Sequence, residues 1–392
     1  MAIVKFVEVC EKIGSGATPR GGKEAYSDEG ISLVRSQNVL DFSFSSDGLV
    51  HINDEQAKKL KNVELHPDDV LLNITGDSVA RACIMDSSFL PARVNQHVAI
   101  VRGKKELVLN SYILYYLQWK KDYLLQLASA GATRNALTKG MIEQLDINLP
   151  SLTEQKRIVA VLDSIQQKIS VNKKINDNLY AQAKAIFEQQ FIDLETIPDG
   201  WEKGNLLDIA NYLNGLAMQK YRPNEDEVGL PVLKIKELRQ GSCDNSSELC
   251  SPNIKPEYII HDGDVIFSWS GSLLVDIWCG GTCGLNQHLF KVTSNTYDKW
   301  FYYLWTAHHL ERFIAIAADK ATTMGHIKRG ELAKAEVLIP SDEDYKAINS
   351  LMNPIFNLIV AKRIEARKLA ELRDELLPKL MSGEIDVSGI DL

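Results

Sequence analysis

The chain has 392 residues, 45% of them hydrophobic and 24% charged, proportions typical of a soluble globular protein. Its net charge of −8 argues against a simple basic nucleic-acid-binding protein, so any nucleic-acid contact must come from local patches or a basic partner. The start, MAIVKFVEVCEKIG, does not resemble a signal peptide, and no run of 18 apolar residues could span a membrane. Six unevenly spaced cysteines favour reduced thiols in a cytoplasmic protein.

The first 150 residues predict a domain that combines strands and helices. Short apolar runs such as ISLVRS (31–36), DVLLNITG (69–76) and HVAIVR (97–102) are broken by Gly, Asn and Asp, a pattern typical of strands joined by turns. The aromatic-rich stretch SYILYYLQWKKDYLLQLAS (111–129) then predicts a helix. Residues 1–150 are therefore predicted to form an α+β domain.

A long helix is predicted next, over residues 151–192. It begins at a capping box, in which Glu154 follows Ser151 by three residues. Behind it an apolar stripe advances in alternating steps of four and three residues, the spacing of a coiled-coil seam. The seam residues predicted for this helix are Ile158, Leu162, Ile165, Ile169, Asn172, Asn176 and Leu179. The two asparagines would fix the register of helix pairing or, alternatively, would face solvent.

Residues 193–340 repeat the landmarks of the first domain. HPDDVLLNITG (66–76) returns as HDGDVIFSWSG (261–271), and VNQHVAIV (94–101) returns as LNQHLFKV (285–292). Outside such landmarks the two stretches look unrelated. We therefore predict a second α+β domain on the same scaffold with a divergent surface.

A second long helix is predicted over residues 341–385, followed by a tail at 386–392. Its stripe lies 190 residues after the first one, and its predicted seam residues are Ile355, Ile359, Lys362, Ala366, Leu369 and Leu376. Pro354 falls within this stripe and cannot donate a helix hydrogen bond. We therefore predict a break or kink there, with the straight helix beginning near Ile355. The chain is predicted to carry one architectural unit twice.

Several short motifs suggest chemistry but lack the residues that the chemistry needs. FSWSGS (267–272) and NPIF (353–356) resemble methyltransferase motifs, but the first is a repeated strand and turn and the second lies on the helical stripe. Cys279 and Cys283 are too loosely spaced from other ligands to predict a zinc site. No phosphate-binding loop, nucleophile elbow or metalloprotease motif occurs. The sequence therefore predicts no catalytic residue and no metal ligand.

Longer strings carry a resemblance to a known family. GATRNALTKGMIEQLDINLPSLTEQKRIVAVLDSI, from residue 131 onwards, resembles the junction between a target recognition domain and a conserved helix in specificity (S) subunits of type I restriction–modification systems. The ending ELRDELLPKLMSGEIDV, the N-terminal SGATPRGG, VNQHVAIV and IPDGWEKGNLLDIA (197–210) are similar to the same family. The resemblance covers essentially the whole chain. It departs in the second half, where GLAMQKYRPN replaces SGATPRGG and DEDYKAI replaces TEQKRIV.

The resemblance implies a DNA-recognition subunit that does no chemistry itself. Two α/β target recognition domains would be separated by two long antiparallel coiled-coil helices, and each domain would read one half of a split asymmetric site in double-stranded DNA. The helices would set the spacer and dock two methyltransferase (M) subunits, and endonuclease (R) subunits would complete the complex. No cofactor is expected in this chain, because S-adenosylmethionine, ATP and Mg²⁺ would be held by the partners.

Candidate DNA contacts are mainly Arg, Lys, Asn, Gln, Ser and Thr residues on loops near glycine, because these side chains discriminate bases, together with one Asp and one His on the same loops. In the first half we select Thr18, Arg20, Lys23, Arg35, Ser36, Gln37, Asn38, Thr75, Asp77, Ser78, Arg81, Arg134 and Asn135. In the second half we select Gln219, Lys220, Arg222, Lys234, Lys236, Ser270, Ser272, Thr322, Thr323, His326 and Lys328. Arg35 and Lys234 occupy equivalent positions, so their loop is the preferred site. For each candidate, the alternative is a solvated turn residue.

One landmark, Asn-Gln-His, recurs unchanged at 95–97 and 286–288. Residues that read sequence should differ between the halves, so these residues are predicted to serve the scaffold or to position phosphates. Two other functions stay open at this point. A fused methyltransferase would bind S-adenosylmethionine tightly, whereas a coiled-coil adaptor with two ligand-binding heads would not bind DNA even with its partners.

Overall fold

The computed structural model describes residues 2–19, 21–129, 135–319 and 326–390, except for the side chains of Ala2, Gly22, Lys23 and Asp319. The chain divides into two compact units, made of residues 1–167 with 370–392 and of residues 168–369. No helix in the described part of the chain is both long and apolar enough to cross a membrane.

The first unit contains a four-stranded antiparallel sheet, a three-stranded mixed sheet and a separate strand pair. Its strands are β1 (Ala2–Lys5), β2 (Cys10–Ser15), β3 (Ile31–Val34), β4 (Val50–Ile52), β5 (Val70–Asn73), β6 (Ala82–Ile84), β7 (Ala92–Val94), β8 (Val98–Gly103) and β9 (Asp146–Leu149). The larger sheet has the order β2-β8-β5-β6, the smaller one has the order β4-β3-β7, and β1 pairs with β9. Within the smaller sheet β3 and β7 are parallel.

Short helices pack against the sheets of this unit. They are α1 (Phe6–Val9), α2 (Asp54–Lys59), α3 (Asn110–Trp119), α4 (Lys121–Ser129) and α5 (Lys139–Glu143). The helix predicted over 111–129 is therefore two helices, α3 and α4. Tyr112 and Tyr115 of α3 are fully buried in a core shared with the apolar side chains of β5 and β8.

The second unit repeats this plan. Its strands are β10 (Glu202–Asn205), β11 (Asn211–Asn214), β12 (Leu230–Leu233), β13 (Leu249–Cys250), β14 (Ile259–Ile260), β15 (Val265–Ser268), β16 (Leu274–Ile277), β17 (Cys283–Leu285), β18 (Leu289–Thr293) and β19 (Glu336–Ile339). The sheets have the orders β11-β18-β15-β16 and β13-β12-β17-β14, and β10 pairs with β19. Apart from the extra β14, each strand matches one in the first unit, so the duplication predicted from the sequence is also a duplication of topology.

The short helices of the second unit pack against its sheets, most of them around an aromatic core. They are α7 (Leu206–Ile209), α8 (Ile235–Gln240), α9 (Lys299–His308), α10 (Leu310–Asp319) and α11 (Arg329–Leu332). Trp300 and Phe301 of α9 are fully buried, and the Trp300 indole donates a hydrogen bond to Asn349 at 2.7 Å. This core anchors the sheets on which the loops of the second unit are mounted. The predicted α+β fold is confirmed.

Two long helices complete the chain. In chain order, α6 spans Leu152–Phe187 and continues as a π-helical turn over Glu188–Ile192, and α12 spans Asp342–Ser382. The predicted capping box at the start of α6 is present, because Glu154 accepts hydrogen bonds from the backbone N–H and the hydroxyl of Ser151. Within the second unit, Lys168 pairs with Glu365 at 3.6 Å while Phe187 shares a core with Ile348, so the two helices run antiparallel there.

The predicted stripe faces inward along both helices. Its buried members are Ile158, Leu162, Ile165, Asn172, Asn176 and Ile359, and its half-buried members are Ile169, Leu179, Ile355, Lys362, Ala366, Leu369 and Leu376. Asn172 has no exposed surface and Asn176 has 9%. The alternative that these two asparagines face solvent is therefore wrong.

Of the break or kink predicted at Pro354, the break is wrong, whereas the kink stays a prediction. The helix α12 continues without interruption through this residue. Pro354 leaves the carbonyl group of Ser350 without its helix partner, but both residues are exposed, so water can hydrogen-bond that carbonyl. On the opposite face, Met352 and Phe356 are fully buried and hold the helix against the core. Packing on one face and solvation on the other therefore keep the helix continuous.

Candidate nucleic-acid interface

In the first unit the candidate loops meet around the Asn-Gln-His turn at 95–97, which joins β7 to β8. The Asn95 side chain accepts a hydrogen bond from the His97 N–H at 3.1 Å, and the Asn95 N–H donates to the Val34 carbonyl at 3.0 Å. Gly16, just after β2, packs so closely on this turn that a Cβ atom would lie 2.3 Å from the Asn95 carbonyl oxygen. Only glycine fits at that position, and it holds the loop after β2 against the turn.

The second unit builds the same turn at 286–288. The Asn286 side chain accepts from the His288 N–H at 3.2 Å. A Cβ atom on Gly215 would lie 2.2 Å from the Asn286 carbonyl oxygen, so glycine is required here as well. The asparagines of both turns are buried, and their amides serve the scaffold. The two turns are thus a shared structural element that supports loops of different sequence in the two units.

The loop after β3 in the first unit (35–48) is closed by hydrogen bonds from side chains to its own backbone. Arg35 and Gln37 donate to the Gly48 carbonyl at 2.6 Å and 3.2 Å, and Asn38 donates to the Ser45 carbonyl at 2.9 Å. Asn38 has no exposed surface. Burial and backbone hydrogen bonds occupy the Asn38 amide and favour a structural role, and its contact with DNA stays a prediction.

The turn after β5 lies beside the same scaffold. The Thr75 hydroxyl is 2.7 Å from Nδ1 of His97, and the N–H of the following residue donates to the Asn135 carbonyl at 3.2 Å. At the end of β5, the Asn73 amide donates to the Ser78 hydroxyl at 3.1 Å. The structure therefore brings Thr75, Ser78 and Asn135 together at the end of the sheets where Arg35 also lies.

In the second unit the equivalent loops line a cavity of about 430 Å³ that is open to solvent. Its lining residues are Met218, Gln219, Arg222, Lys234, Ile235, Lys236, Glu248, Asn286, Gln287 and His288. Glu248 forms ion pairs with Arg222, at 2.8 Å, and with Lys234. Hydrogen bonds from Lys234 and then Arg222 lower the pKa of Glu248, so this carboxylate is ionised at neutral pH. The cavity thus presents cations and one carboxylate side by side.

The turn after β15 differs from its counterpart in the first unit. Trp269 replaces the first unit's Ile74, and its indole donates to Asn214 at 2.9 Å. The Trp269 ring lies 6.1 Å from the His326 ring. Ser270 is only 5% exposed and forms a β-bridge with His326. Burial of Ser270 favours a structural role, and its contact with DNA stays a prediction.

The other candidates differ in how far they are exposed. The exposed ones are Thr18, Gln37, Asp77, Asn135, Gln219, Lys220, Arg222, Lys236, Ser272, His326 and Lys328, and the half-buried ones are Arg35, Ser36, Thr75, Ser78, Arg81 and Lys234. Arg20, Arg134, Thr322, Thr323 and the side chain of Lys23 lie outside the described residues. Whether any of them contacts DNA stays a prediction.

Sequence reasoning missed Glu248 and Trp269. Acidic residues other than Asp77 were not considered as base contacts. In addition, Glu248 comes close to Lys234 only because β12 pairs with β13, and this pairing could not be predicted from the sequence. Trp269 could have been found by aligning the two repeats, because it stands where the first repeat has the aliphatic residue Ile74. Within the described ranges, no group of three or more His, Cys, Asp or Glu side chains could hold a metal ion.

A family model decides what this scaffold belongs to. The model for the type I restriction modification DNA specificity domain matches residues 1–181 and 198–373, one match over each repeat. The chain belongs to this family. As a specificity subunit it is a non-catalytic DNA-recognition component of a type I restriction–modification system, which excludes the fused methyltransferase and the adaptor that does not bind DNA.

Individual specificity subunits support the assignment along the whole chain. The MjaIX specificity subunit of Methanocaldococcus jannaschii is 25% identical over 417 residues, covering 99% of this chain and 94% of that protein. The EcoKI specificity subunit of Escherichia coli is 24% identical over 418 residues, covering 93% and 88%. The solved S subunit from M. genitalium has a similar fold, with a TM-score of 0.56 at 13% identity, covering 97% of this chain and 96% of that one.

Proposed function

We propose that this specificity subunit reads a split, asymmetric site in double-stranded DNA, one half with the loops of each unit. The observation that supports this proposal is a scaffold used twice with different side chains mounted on it. The Asn-Gln-His turn and its glycine are the same in both units, whereas Arg35 in the first unit faces a backbone carbonyl and Lys234 in the second pairs with a carboxylate. Two different loop surfaces would select two different half-sites.

The chain would depend on partners for affinity and for chemistry. Its net charge of −8 gives no overall attraction to the phosphate backbone, whose contacts supply most of the affinity of proteins for DNA. Two methyltransferase subunits bound to the long helices would supply them and would hold S-adenosylmethionine. Endonuclease subunits would add ATP- and Mg²⁺-dependent cleavage. The complex would act in the cytoplasm, where its DNA substrate is found.

DNA binding by the purified chain, alone and with its methyltransferase partner, tests this dependence. Fluorescence anisotropy with a labelled duplex is expected to show weak binding by the chain alone and specific binding by the assembled methyltransferase. The affinity of the assembly should fall steeply with salt, because phosphate contacts release counterions. Absence of DNA binding by an assembled, stable complex would contradict the proposal.

A further inference from the structure

The cavity of the second unit carries an inference that rests on the proposed function and makes it more specific. It lies beside the Asn-Gln-His turn, so it occupies the part of the scaffold where the candidate loops converge. Arg222, Lys234 and Glu248 have side chains that are 48%, 38% and 42% exposed. An approaching DNA surface could therefore reach each of these groups without displacing the core.

The position of Glu248 marks a difference between the two units. In the first unit, the turn ahead of the edge strand β4 offers the Gly48 carbonyl to Arg35. In the second unit, the turn ahead of the matching strand β13 offers the Glu248 carboxylate to Lys234. A neutral backbone acceptor in one copy is thus replaced by a charged side chain in the other. A neutral carbonyl is enough to close the loop in the first unit, so loop closure alone does not require the Glu248 carboxylate.

Glu248 keeps hydrogen-bonding capacity after forming its two ion pairs. An ionised carboxylate has about four acceptor positions, and the bonds from Arg222 and Lys234 engage one on each oxygen. The two cations also offset the repulsion that a lone carboxylate would experience near phosphates. The group can therefore approach the DNA and accept a further hydrogen bond there.

We infer that the cavity formed by Arg222, Lys234 and Glu248 reads one G·C base pair in the major groove of the second half-site. Arg and Lys are the side chains that bind the adjacent O6 and N7 acceptors of guanine, and Glu accepts from the N4 amino group of cytosine. The ion-paired cluster therefore carries groups complementary to both bases of a single pair. Glu248 is a specificity-determining residue in this arrangement.

The substitution Glu248→Gln tests the inference, with Glu336→Gln as its matched control. Glu336 is also an exposed carboxylate of the second unit, paired with Lys203 at 2.7 Å, but it does not line the cavity. The methylome of a host that expresses the methyltransferase with each variant is sequenced. E248Q is expected to make one G·C position of the second half-site degenerate, while E336Q leaves the parent motif unchanged.

Competition binding with the purified methyltransferase complex provides a second measurement. Replacing that G·C pair with A·T is expected to weaken binding by the parent about 10- to 100-fold, and binding by E248Q much less. The variant loses a negative charge, so its binding to nonspecific DNA should become stronger. This gain reports the change of charge, whereas the lost discrimination between G·C and A·T reports the reading of the base pair.

Several outcomes would overturn the inference. They are an unchanged motif for E248Q, degeneracy at an A·T position or in the first half-site, and equal loss of binding to all duplexes. Failure of this inference can be told apart from failure of the proposed function. If the parent complex methylates a bipartite motif and E248Q does not alter it, only the role of this cavity is wrong. If the parent shows no bipartite motif, the proposed function itself fails.

Discussion

Replacing Asp69 with Ala is expected to destabilise the first unit by about 3–5 kcal/mol, because it removes the buried carboxylate that pairs with Arg102 at 2.6 Å and leaves that guanidinium with the more distant Glu11, 3.7 Å away. The Asp69 side chain is fully buried and binds Arg102 through both oxygens, at 2.6 Å and 2.7 Å. It also accepts the His66 N–H at 2.7 Å, and it therefore fixes the turn that leads into β5. Arginine is not deprotonated in proteins, so Arg102 stays charged after the substitution.

The second unit supplies a matched comparison. Asp264 accepts the His261 N–H in the same way and pairs with Lys291 at 2.8 Å, but its side chain is 24% exposed. Water can enter the part-exposed site that Asp264→Ala vacates, and Lys291 keeps its hydrogen bond to the Ile259 carbonyl, so the expected loss is smaller, about 1–2 kcal/mol. Native-state hydrogen exchange of the full chain measures both effects, read from the amides of β5 and β8 for D69A and of β15 and β18 for D264A. Equal losses for the two variants would contradict this account.

Replacing Gly16 with Ala is expected to disrupt the first recognition surface and to lower methylation about tenfold or more. The added Cβ would lie 2.1 Å from the Val94 carbonyl oxygen and 2.3 Å from that of Asn95, both of them backbone atoms that cannot rotate away. Relieving this overlap costs about 3 kcal/mol and moves the loop after β2 off its turn. If the loop adopts its DNA-binding conformation in only a small fraction of molecules, the apparent affinity for DNA falls by that fraction.

Gly14→Ala is the matched control, because it adds the same methyl group two residues earlier. No atom lies within 4 Å of the Cβ position at Gly14. We expect methylation by G14A to stay within about twofold of the parent, since surface substitutions away from special features are usually worth less than 0.5 kcal/mol. Initial rates with the assembled methyltransferase and a target duplex provide the measurement. Similar rates for G16A and the parent would show that the close approach does not matter.

The duplicated architecture could be predicted from the sequence because it depends on patterns that persist over many residues. The seam period and the recurring Asn-Gln-His landmark predicted two α+β domains and two long helices. Predictions of helix ends and breaks from local sequence failed where tertiary packing determines whether a helix continues. Pro354 lies on an exposed helix face, where its missing donor costs little, and periodicity alone did not reveal this. The single helix predicted over 111–129 is two helices that meet at Lys120.

The candidate interface was only partly predictable. Residue type and proximity to glycine selected loops that the fold does bring together, such as those of Thr75 and Arg35. The same rules could not tell that Asn38 and Ser270 are buried, since burial depends on segments distant in sequence. Glu248 was missed because its place beside Lys234 follows from the pairing of two strands, which no single segment specifies.

The central claim is that each unit independently reads one half of the target. The most direct measurement is methylome sequencing of a host that expresses this chain with its methyltransferase, compared with a host in which residues 201–340 are exchanged for those of another specificity subunit. We expect a bipartite methyladenine motif in which the exchange changes the second half alone. An active parent whose motif does not respond to the exchange, or responds in its first half, would contradict the claim.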